Sequence, residues 1–309
     1  MDLHLSDVAL FVRIVELGSL SAAARERVAP VSQVTRALAR LEATCGARLL
    51  HRTTHGLSLT DEGDAFLLHA RRLLDTRDDL QGELAGRRGG PAGWVRLSVS
   101  PVLAQAVIAP SLPSLHDRHP GLHVDIHADD RLADLARDGI DIAIRTGGPG
   151  SEQLVALPVG QLTRSLYAAP AYLKRHGRPR SVADLAQHRL LANSASPALN
   201  RWPHGDAARP AIFVASGHTR SDNTGVVLAL ALAGVGIARI VDLAARDAVA
   251  RGDLERLLGD DMVNPPVPMV AVMLPERQRL PKIRACIDHW RAWMQRSDPV
   301  PRRATPRRA

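Results

Sequence analysis

Five polar side chains that are able to recognise a nucleic acid fall on one side of a predicted helix in residues 27–42, RVAPVSQVTRALARLE. The apolar residues recur at helical spacing, and they predict one buried stripe made of Val34, Leu38, Leu41 and Cys45. The opposite arc contains Ser32, Gln33, Thr35, Arg36 and Arg40. Guanidinium groups match guanine edges and phosphates, and an amide matches the adenine edge, which favours a DNA-binding surface. An ordinary solvated helix face is the alternative for this helix taken alone.

Two further helices are predicted before this segment. Residues 5–18, LSDVALFVRIVELG, are apolar nearly all round, so this helix should be covered on more than one side. Residues 20–28, LSAAARERV, form a short helix that Ser19 or Ser21 can cap. Its expected buried positions are Leu20, Ala24 and Val28. A tight turn then leads to Pro30, which fits the first turn of the next helix. Helix, turn and polar helix together indicate a helix-turn-helix.

A small β-hairpin, or wing, is predicted in residues 47–60, ARLLHRTTHGLSLT. Leu57 and Leu59 alternate as in a strand, and the residues around Gly56 supply the turn. Arg52 and His55 then lie near the tip, where they could reach a phosphate or the minor groove. A surface arginine without a binding role is an equal alternative for Arg52.

One long helix is predicted from Thr60, which can act as its N-cap before two acidic residues. A seven-residue spacing that is typical of coiled coils relates Phe66, Leu73 and Leu80. This spacing favours a dimerisation helix, although packing on its own domain is the alternative. A dimer would present two recognition helices to a palindromic site. GRRGGPAG, residues 86–93, then reads as a hinge.

From Trp94 onward, strand-like runs alternate with helical runs, which predicts parallel strands with crossover helices. The strand-like runs are WVRLSVS, LHVDIHA, GIDIAIRTG, SLYAAP, RLLAN, AIFVAS, GIARIV and PMVAVML. Helices are expected between them, including residues 131–139, RLADLARDG, and a final helix with an apolar stripe closes the unit. Small ligands bind at the carboxyl ends of such strands, beside helix N-termini.

The first 63 residues resemble the winged helix-turn-helix of LysR-type transcriptional regulators. The resemblance rests on Gly18-Ser19-Leu20-Ser21, Thr35-Arg36-Ala37-Leu38, Leu41-Glu42, Leu49-Leu50-His51-Arg52 and Leu59-Thr60. The chain departs from the family at Pro30-Val31, where many members have Ser-Gln, and at His55, where many have a basic residue. Two later runs, ADDRLADLARDGIDIAIRTG and APAYLKRHGRP, resemble the family's effector-binding module. The resemblance covers nearly all of residues 5–295.

The resemblance implies an α/β protein with an N-terminal winged helix-turn-helix, a long linker helix and a two-lobed effector domain of the periplasmic-binding-protein type. The expected domains are 1–60 for DNA binding, 61–90 for the linker helix and hinge, 91–295 for the effector domain and 296–309 for a basic disordered tail. Lobe I would contain about 91–162 and 267–295, and lobe II about 163–266. Expected partners are double-stranded DNA, a small-molecule effector and one or three further copies of the chain, with RNA polymerase as a further candidate.

The cleft between the lobes is where the effector is expected. The residues that follow the strands there are Ser100, Pro101, Thr146 and Gly147 in lobe I, and Asn193, Ser194, Asn223 and Thr224 in lobe II. Hydroxyls, amides and free backbone N–H groups suit a small organic anion. Ordinary turn and capping roles are the alternative for each of these residues. No cofactor is expected.

Composition is consistent with a regulator. The 309 residues suit two to three domains, and the net charge of +8 favours a polyanionic partner. No apolar run reaches the length of about 18 residues needed to span a membrane. The N-terminus lacks the pattern of a signal peptide, which predicts a cytoplasmic protein without a membrane partner. Cys45 and Cys286 are far apart and read as core residues.

Three other functions were weighed. A metal sensor would need the cluster of His116, His119, His123 and His127, but no cysteine accompanies it and only two of the four share a strand face. An enzyme is disfavoured because no nucleophile and base can be paired. A solute-binding protein with a helical appendage is the main rival. The missing signal-peptide pattern and the carboxylate-free arc of the helix at residues 31–42 argue against it.

Overall fold

The computed structural model describes residues 2–53, 56–85, 90–148, 151 and 153–297. The chain divides into two compact units, Met1–Gly89 and Gly90–Ala309. Each unit contains its own hydrophobic core. Among the described residues, no helix combines the length and the apolar character that crossing a lipid bilayer requires.

The N-terminal unit contains four helices and one hairpin. They are α1 (Leu5–Leu17), α2 (Leu20–Glu26), α3 (Val31–Cys45), β1 (Leu50–Thr53), β2 (Gly56–Leu59) and α4 (Asp61–Ala85). Helix α1 buries residues on several sides, as its composition predicts, and its Phe11 ring meets the Phe66 ring of α4 edge-on, with centroids 5.3 Å apart. Ser19 caps α2 by accepting the Ala22 N–H at 3.4 Å, which confirms one of the two predicted caps.

Two details of the turn between α2 and α3 differ from the sequence-based prediction. Val28 is 94% exposed, not buried, because it follows the last turn of α2 in a left-handed conformation with φ 52°. In this conformation the chain reverses and the valine side chain points to solvent. Pro30 precedes α3 as its N-cap residue, with φ −62° and ψ 142°, and does not occupy the first helical turn. The predicted order of helix, turn and helix is confirmed.

A five-stranded sheet forms the first part of the second unit. Its strands are β3 (Gly93–Val99), β4 (Leu122–Ala128), β5 (Ile142–Thr146), β6 (Val155–Leu162) and β14 (Val267–Met273), in the order β4-β3-β5-β14-β6. The prediction of parallel strands is correct for β3, β4 and β5. It is wrong for β14, which returns late in the chain and pairs antiparallel with both β5 and β6.

Helices cover this sheet. They are α5 (Pro101–Leu103), a π-helical turn (Ala104–Ile108), α6 (Ala109–Arg118) and α10 (Pro281–Ser297), with a short 3-10 helix at Arg277–Arg279. The apolar stripe of α10 lies in the core of this part, as its spacing predicts, and consists of Ile283, Ile287, Trp290 and Met294. Cys286 is buried in the same core, and Cys45 is partly buried in that of the N-terminal unit.

The intervening residues form smaller sheets. Antiparallel β7 (Arg164–Ala168), β12 (Ala238–Val241) and β13 (Glu255–Leu257) form one sheet in the order β12-β7-β13. The prediction of parallel strands is therefore wrong for β7 and β12 as well. Parallel β8 (Leu191–Asn193) and β11 (Thr219–Ser221) form a second, and the hairpin of β9 (Arg201–His204) and β10 (Ala211–Val214) forms a third. The helices here are α7 (Pro170–His176), α8 (Thr224–Leu232) and α9 (Asp242–Arg251), with 3-10 helices at Ala183–Gln187 and Pro197–Asn200.

The helix predicted for residues 131–139 does not form. Asp134 Oδ1 accepts the N–H groups of Ala136 and Arg137 at 3.1 and 3.0 Å, and Asp138 Oδ2 accepts the N–H of Asp134 at 3.0 Å. These side chains satisfy the backbone locally, which competes with helix formation. Gly139 then leaves the turn with φ +67°. The segment is a compact turn that leads into β5.

Candidate nucleic-acid interface and ligand cleft

Helix α3 exposes the polar arc that its sequence predicts. Four of the five residues, Ser32, Gln33, Arg36 and Arg40, are exposed, and Thr35 is half-buried. The opposite side buries Val34, Ala37, Leu38 and Leu41, which hold the helix on the N-terminal unit's core. Arg36 donates from Nε to the Ser32 carbonyl at 3.3 Å, so its guanidinium lies over the preceding turn of the helix. The arc therefore offers hydroxyl, amide and guanidinium groups on one accessible face.

Arg40 differs from Arg36 because it pairs within the chain. Its Nε and Nη2 each donate to a carboxylate oxygen of Asp7 at 2.7 Å, which ties α3 to α1. The Asp7 side chain is only 7% exposed, whereas that of Arg40 is 55% exposed. The hydrogen bonds with Asp7 raise the pKa of Arg40. Sequence reasoning missed this pair because the two residues are 33 positions apart.

The wing is fixed to α3 and α4 by side chains that accept backbone N–H groups. Glu42 Oε1 accepts from Leu49 and Leu50 at 2.9 and 3.3 Å, at the start of β1. Thr60 Oγ1 accepts the Gly63 N–H at 2.8 Å, which confirms it as the cap of α4, and donates to the Arg48 carbonyl at 2.7 Å. These bonds fix where the wing starts and ends.

The register of the wing confirms the predicted hairpin. Arg52 pairs with Leu57 and Thr53 with Gly56 across β1 and β2. The backbone of Arg52 therefore lies one residue before the last pair of the hairpin. His55 lies outside the described residues. Contact of Arg52 and His55 with DNA stays a prediction.

The residues of helix α4 that are spaced seven apart, Phe66, Leu73 and Leu80, have two different surroundings. Phe66 packs on Phe11 within its own unit, together with the buried Leu67 and Ala70 of the same helix. Leu73 and Leu80 are 44% and 56% exposed. Of the three residues expected at a dimer interface, the two leucines therefore offer apolar surface to a partner.

The second unit contains a cavity of about 170 Å³, and four of the eight predicted effector residues line it. These four are Ser100, Thr146, Asn193 and Thr224. Pro101, Gly147, Ser194 and Asn223 are not among the lining residues that the described chain provides. Asn223 instead caps α8 by accepting the Val226 N–H at 3.1 Å, and Pro101 begins α5. One residue of each predicted pair therefore faces the cavity, and effector binding by these residues stays a prediction.

Asp130 occupies the N-terminus of α8, where an effector anion was expected. One carboxylate oxygen accepts the Thr224 hydroxyl at 3.0 Å, and the other accepts the Thr224 N–H and the Asn193 amide, the latter at 3.4 Å. Thr224 Oγ1 also accepts the Val102 N–H at 3.3 Å. Burial raises the pKa of Asp130, and the bonds from Thr224 and Asn193 oppose that rise. Asp130 therefore joins the β4 end to α8 and β8.

Three arginines line the cavity, and sequence reasoning missed all of them. Arg145 Nη2 donates to Ser98 Oγ at 3.0 Å, and Arg164 Nη2 donates to Thr146 Oγ1 at 3.1 Å. Burial lowers the pKa of each, and it lowers that of Arg239 to about 10, with the Arg164 charge as a second cause. The sequence feature that could have identified Arg145 and Arg239 is a single arginine within a largely apolar strand, as in GIDIAIRTG and GIARIV.

The rest of the lining combines polar and apolar groups. Its apolar part includes Leu103, Ile144, Leu199, Trp202, Val227 and Ile240. Its charged residues are the two acids Asp129 and Asp130 and the three arginines, so positive charge is in excess. The cavity can therefore hold a small molecule that has both an apolar body and an anionic group.

The histidines weighed as a metal site have other contacts. The His123 ring packs against Trp94 in a tilted arrangement with centroids 5.1 Å apart, and His127 Nε2 lies 3.2 Å from an Asp125 oxygen. Within the described ranges, no three or more His, Cys, Asp or Glu side chains are grouped so that they could hold a metal ion.

Comparisons with known proteins match both units. The family model described as "Bacterial regulatory helix-turn-helix protein, lysR family" matches residues 5–64, and the model described as "LysR substrate binding domain" matches residues 88–295. An HTH-type transcriptional regulator of Xanthomonas campestris is 32% identical over 93% of this chain and 85% of its own length. A probable HTH-type regulator of Klebsiella pneumoniae, LtrA, is 33% identical over 84% of each chain.

Solved structures agree with this similarity. CrgA of Neisseria meningitidis, a LysR-type transcriptional regulator, is 27% identical with a TM-score of 0.63, over 95% of this chain and 99% of that one. Full-length AphB, a virulence activator of Vibrio cholerae, is 25% identical with a TM-score of 0.60, over 94% of this chain and 100% of that one.

Proposed function

Because this chain belongs to the LysR family of bacterial transcriptional regulators, we propose that it reads a promoter with the exposed arc of α3 and responds to a small molecule in its α/β unit. The chain is a DNA-binding regulator with a helix-turn-helix and an effector-binding domain. As a regulator it is neither an enzyme nor a solute-binding protein, which removes two of the three alternatives weighed from the sequence.

The DNA contacts of this proposal are assigned by side-chain chemistry. Gln33 and Arg36 reach base edges in the major groove, with Ser32 and Thr35 beside them, since an amide and a guanidinium provide the bidentate contacts that distinguish bases. Arg52 and His55 of the wing hold phosphates or the minor groove. Arg40 contributes to phosphate binding, and its bond to Asp7 sets the orientation of its side chain. The observation that carries this assignment is the exposure of four of the five residues.

The effector site of this proposal is the cavity of the second unit. Ser100, Thr146, Asn193 and Thr224 line it, while Pro101, Gly147, Ser194 and Asn223 shape the adjoining turns and helix starts. An effector held there stabilises one arrangement of the strands and helices around it. Effector binding then changes DNA binding because the stabilised arrangement favours one DNA-bound state over another. No cofactor takes part.

We propose that the chain forms a homodimer or homotetramer through α4. This assembly acts in the cytoplasm, with RNA polymerase as a further partner. Exposed Leu73 and Leu80 support the role of α4, because apolar residues seven apart form the contact row of a coiled coil. The domain boundaries at 60, 90 and 295 expected from the sequence belong to the same proposal, and so does the basic tail.

The experiment that tests the proposal is a footprint on the DNA upstream of the chain's own gene. Wild type is compared with Arg36→Ala and with Arg175→Ala, which removes an exposed arginine of the second unit and so lowers the net charge equally. We expect a protected, partly palindromic site with wild type and Arg175→Ala, and its loss with Arg36→Ala. Equal, sequence-independent protection by all three proteins would contradict the proposed reading surface.

A further inference from the structure

The guanidinium of Arg239 lies in the wall of the cavity with an unmet hydrogen-bonding group. Its Nε is buried and has no hydrogen-bond partner within the described part of the chain. A buried N–H that lacks an acceptor is unfavourable, so such groups normally find a partner or bind a ligand. Because Arg239 lines the cavity, the cavity itself is the place from which a partner can come.

A second guanidinium lies beside the first. Arg164 pairs with Val241, and Arg239 pairs with Leu166, so the two arginines are diagonal neighbours on β7 and β12. The charge of Asp242 acts favourably on both arginines. Its two oxygens, however, already accept hydroxyl hydrogen bonds from Thr163 and Tyr167. Two adjacent cations at a cavity wall provide a fork-like set of donors, which matches a carboxylate.

The other charges of the cavity are matched. Asp130 accepts bonds from Thr224 and Asn193, and it fills the positive N-terminus of α8. Arg145 is stabilised by the charges of Asp129 and Asp130. The α8 terminus is therefore already filled, whereas the pair of Arg164 and Arg239 retains an Nε without a partner and an acid, Asp242, whose oxygens are already used.

The remaining lining sets the size and polarity of a ligand. A cavity of about 170 Å³ is smaller than the roughly 300–1,000 Å³ of typical ligand pockets, which favours a compact molecule. Trp202, Leu199 and Ile240 are among the apolar side chains of the wall. A ligand with one anionic group and a small apolar body satisfies both parts of the lining.

We propose that the effector is a compact organic monoacid whose carboxylate binds Arg164 and Arg239 and whose apolar body packs on the apolar wall. This inference rests on the proposed function, because it names the ligand class for the same cavity. Arg239 is then the residue that selects an acid over a neutral molecule of the same shape.

The test compares acids with their neutral isosteres on the full chain. Benzoate and butyrate are titrated by calorimetry against wild type, beside benzamide and butyramide. The key variant is Arg239→Met. The matched control is Arg256→Met, because Arg256 lies on β13 of the same sheet, is exposed and does not line the cavity. We expect at least one acid to bind wild type and Arg256→Met, with its amide binding much more weakly. Arg239→Met should weaken acid binding about 10-fold to 100-fold.

A second readout separates ligand binding from a structural role. Without ligand, Arg239→Met should have a higher Tm than wild type, since it removes a buried charge whose Nε lacks a partner. A lower Tm would indicate a structural role and overturn the proposal. Equal acid affinity in Arg239→Met and wild type, equal affinity for acid and amide, or failure of both acids to bind wild type would overturn it as well. Arg36→Ala should bind the acids like wild type. The footprint therefore tests the proposed function, and acid binding tests the ligand class independently of it.

Discussion

Arginine has three different surroundings in this protein, and each predicts a different role. Arg36 is exposed on α3, Arg40 is paired with a nearly buried carboxylate, and Arg239 is half-buried at a cavity wall with a buried Nε. A guanidinium that is accessible can bind DNA, whereas one that is held by Asp7 first stabilises the contact between α1 and α3. Residue type alone therefore could not separate the two arginines of the polar arc.

Loss of Arg40 should destabilise the N-terminal unit more than loss of Asp7. Arg40→Ala leaves a nearly buried carboxylate without its two hydrogen bonds, whereas Asp7→Ala leaves an exposed guanidinium that water can solvate. We expect the lower Tm for Arg40→Ala, and a Tm for the double variant no lower than that of Arg40→Ala. Thermal unfolding followed by circular dichroism measures this. A lower Tm for Asp7→Ala than for Arg40→Ala would contradict it.

At the scale of elements, the join between the wing and α4 depends on a close backbone approach. A Cβ added to Gly63 would lie 1.9 Å from the Leu49 carbonyl oxygen, so the first turn of α4 or β1 would have to move. The sequence showed the glycine after Leu59-Thr60 but not its partner, because Leu49 is distant in the chain. Glu42 and Thr60 hold the same junction by hydrogen bonds.

Gly63→Ala should therefore destabilise the N-terminal unit by about 1–3 kcal/mol, which is the usual range for overpacking a tight contact. The matched control is Gly148→Ala, because a Cβ there meets no atom within 4 Å. Urea unfolding of both variants gives the two free energies. If Gly63→Ala were as stable as the control, the close approach would not constrain α4.

Asp130 links elements that are far apart in the sequence, so its removal should loosen the N-terminus of α8. We expect Asp130→Ala to raise the hydrogen-exchange rate of the Thr224 amide, which loses its acceptor. Asp129→Ala is the control, since Asp129 also lines the cavity but accepts from Arg131 at 2.8 Å. Exchange measured by mass spectrometry on peptides that include 224 distinguishes the two. Unchanged exchange in Asp130→Ala would refute the link.

At the scale of the whole molecule, local patterns predicted the elements better than their pairing. The helix-turn-helix, the wing and the stripe of α10 were predictable because each depends on residues near in sequence. The antiparallel return of β14 and the Asp7–Arg40 pair were not, since each depends on contacts between residues distant in the sequence. The turn at 131–139 is local, but it depends on hydrogen bonds from Asp134 and Asp138 that helical spacing does not indicate. Only half of the predicted cleft residues line the cavity, because spacing indicates where a strand ends but not which neighbouring side chain faces the cavity.

Association through α4 gives a prediction for the full chain. The double variant Leu73→Asp, Leu80→Asp places two charges on the exposed apolar row, which should weaken a coiled-coil contact. We expect its mass by light scattering to fall by at least half relative to wild type, with the helical signal retained. Val214→Asp, at an exposed apolar residue of the second unit, should keep the wild-type mass. An unchanged mass in the double variant would exclude the proposed row.

The central claim, that α3 reads bases through Arg36, is tested most directly by binding free energies at two salt concentrations. Wild type, Arg36→Ala and Arg175→Ala are titrated against the footprinted duplex and against a scrambled duplex. We expect Arg36→Ala to lose about 1–3 kcal/mol on the specific duplex and much less on the scrambled one. Arg175→Ala should match wild type on both. An equal loss of Arg36→Ala on both duplexes, together with a shallower salt dependence, would mean that Arg36 touches only phosphate and would contradict the claim.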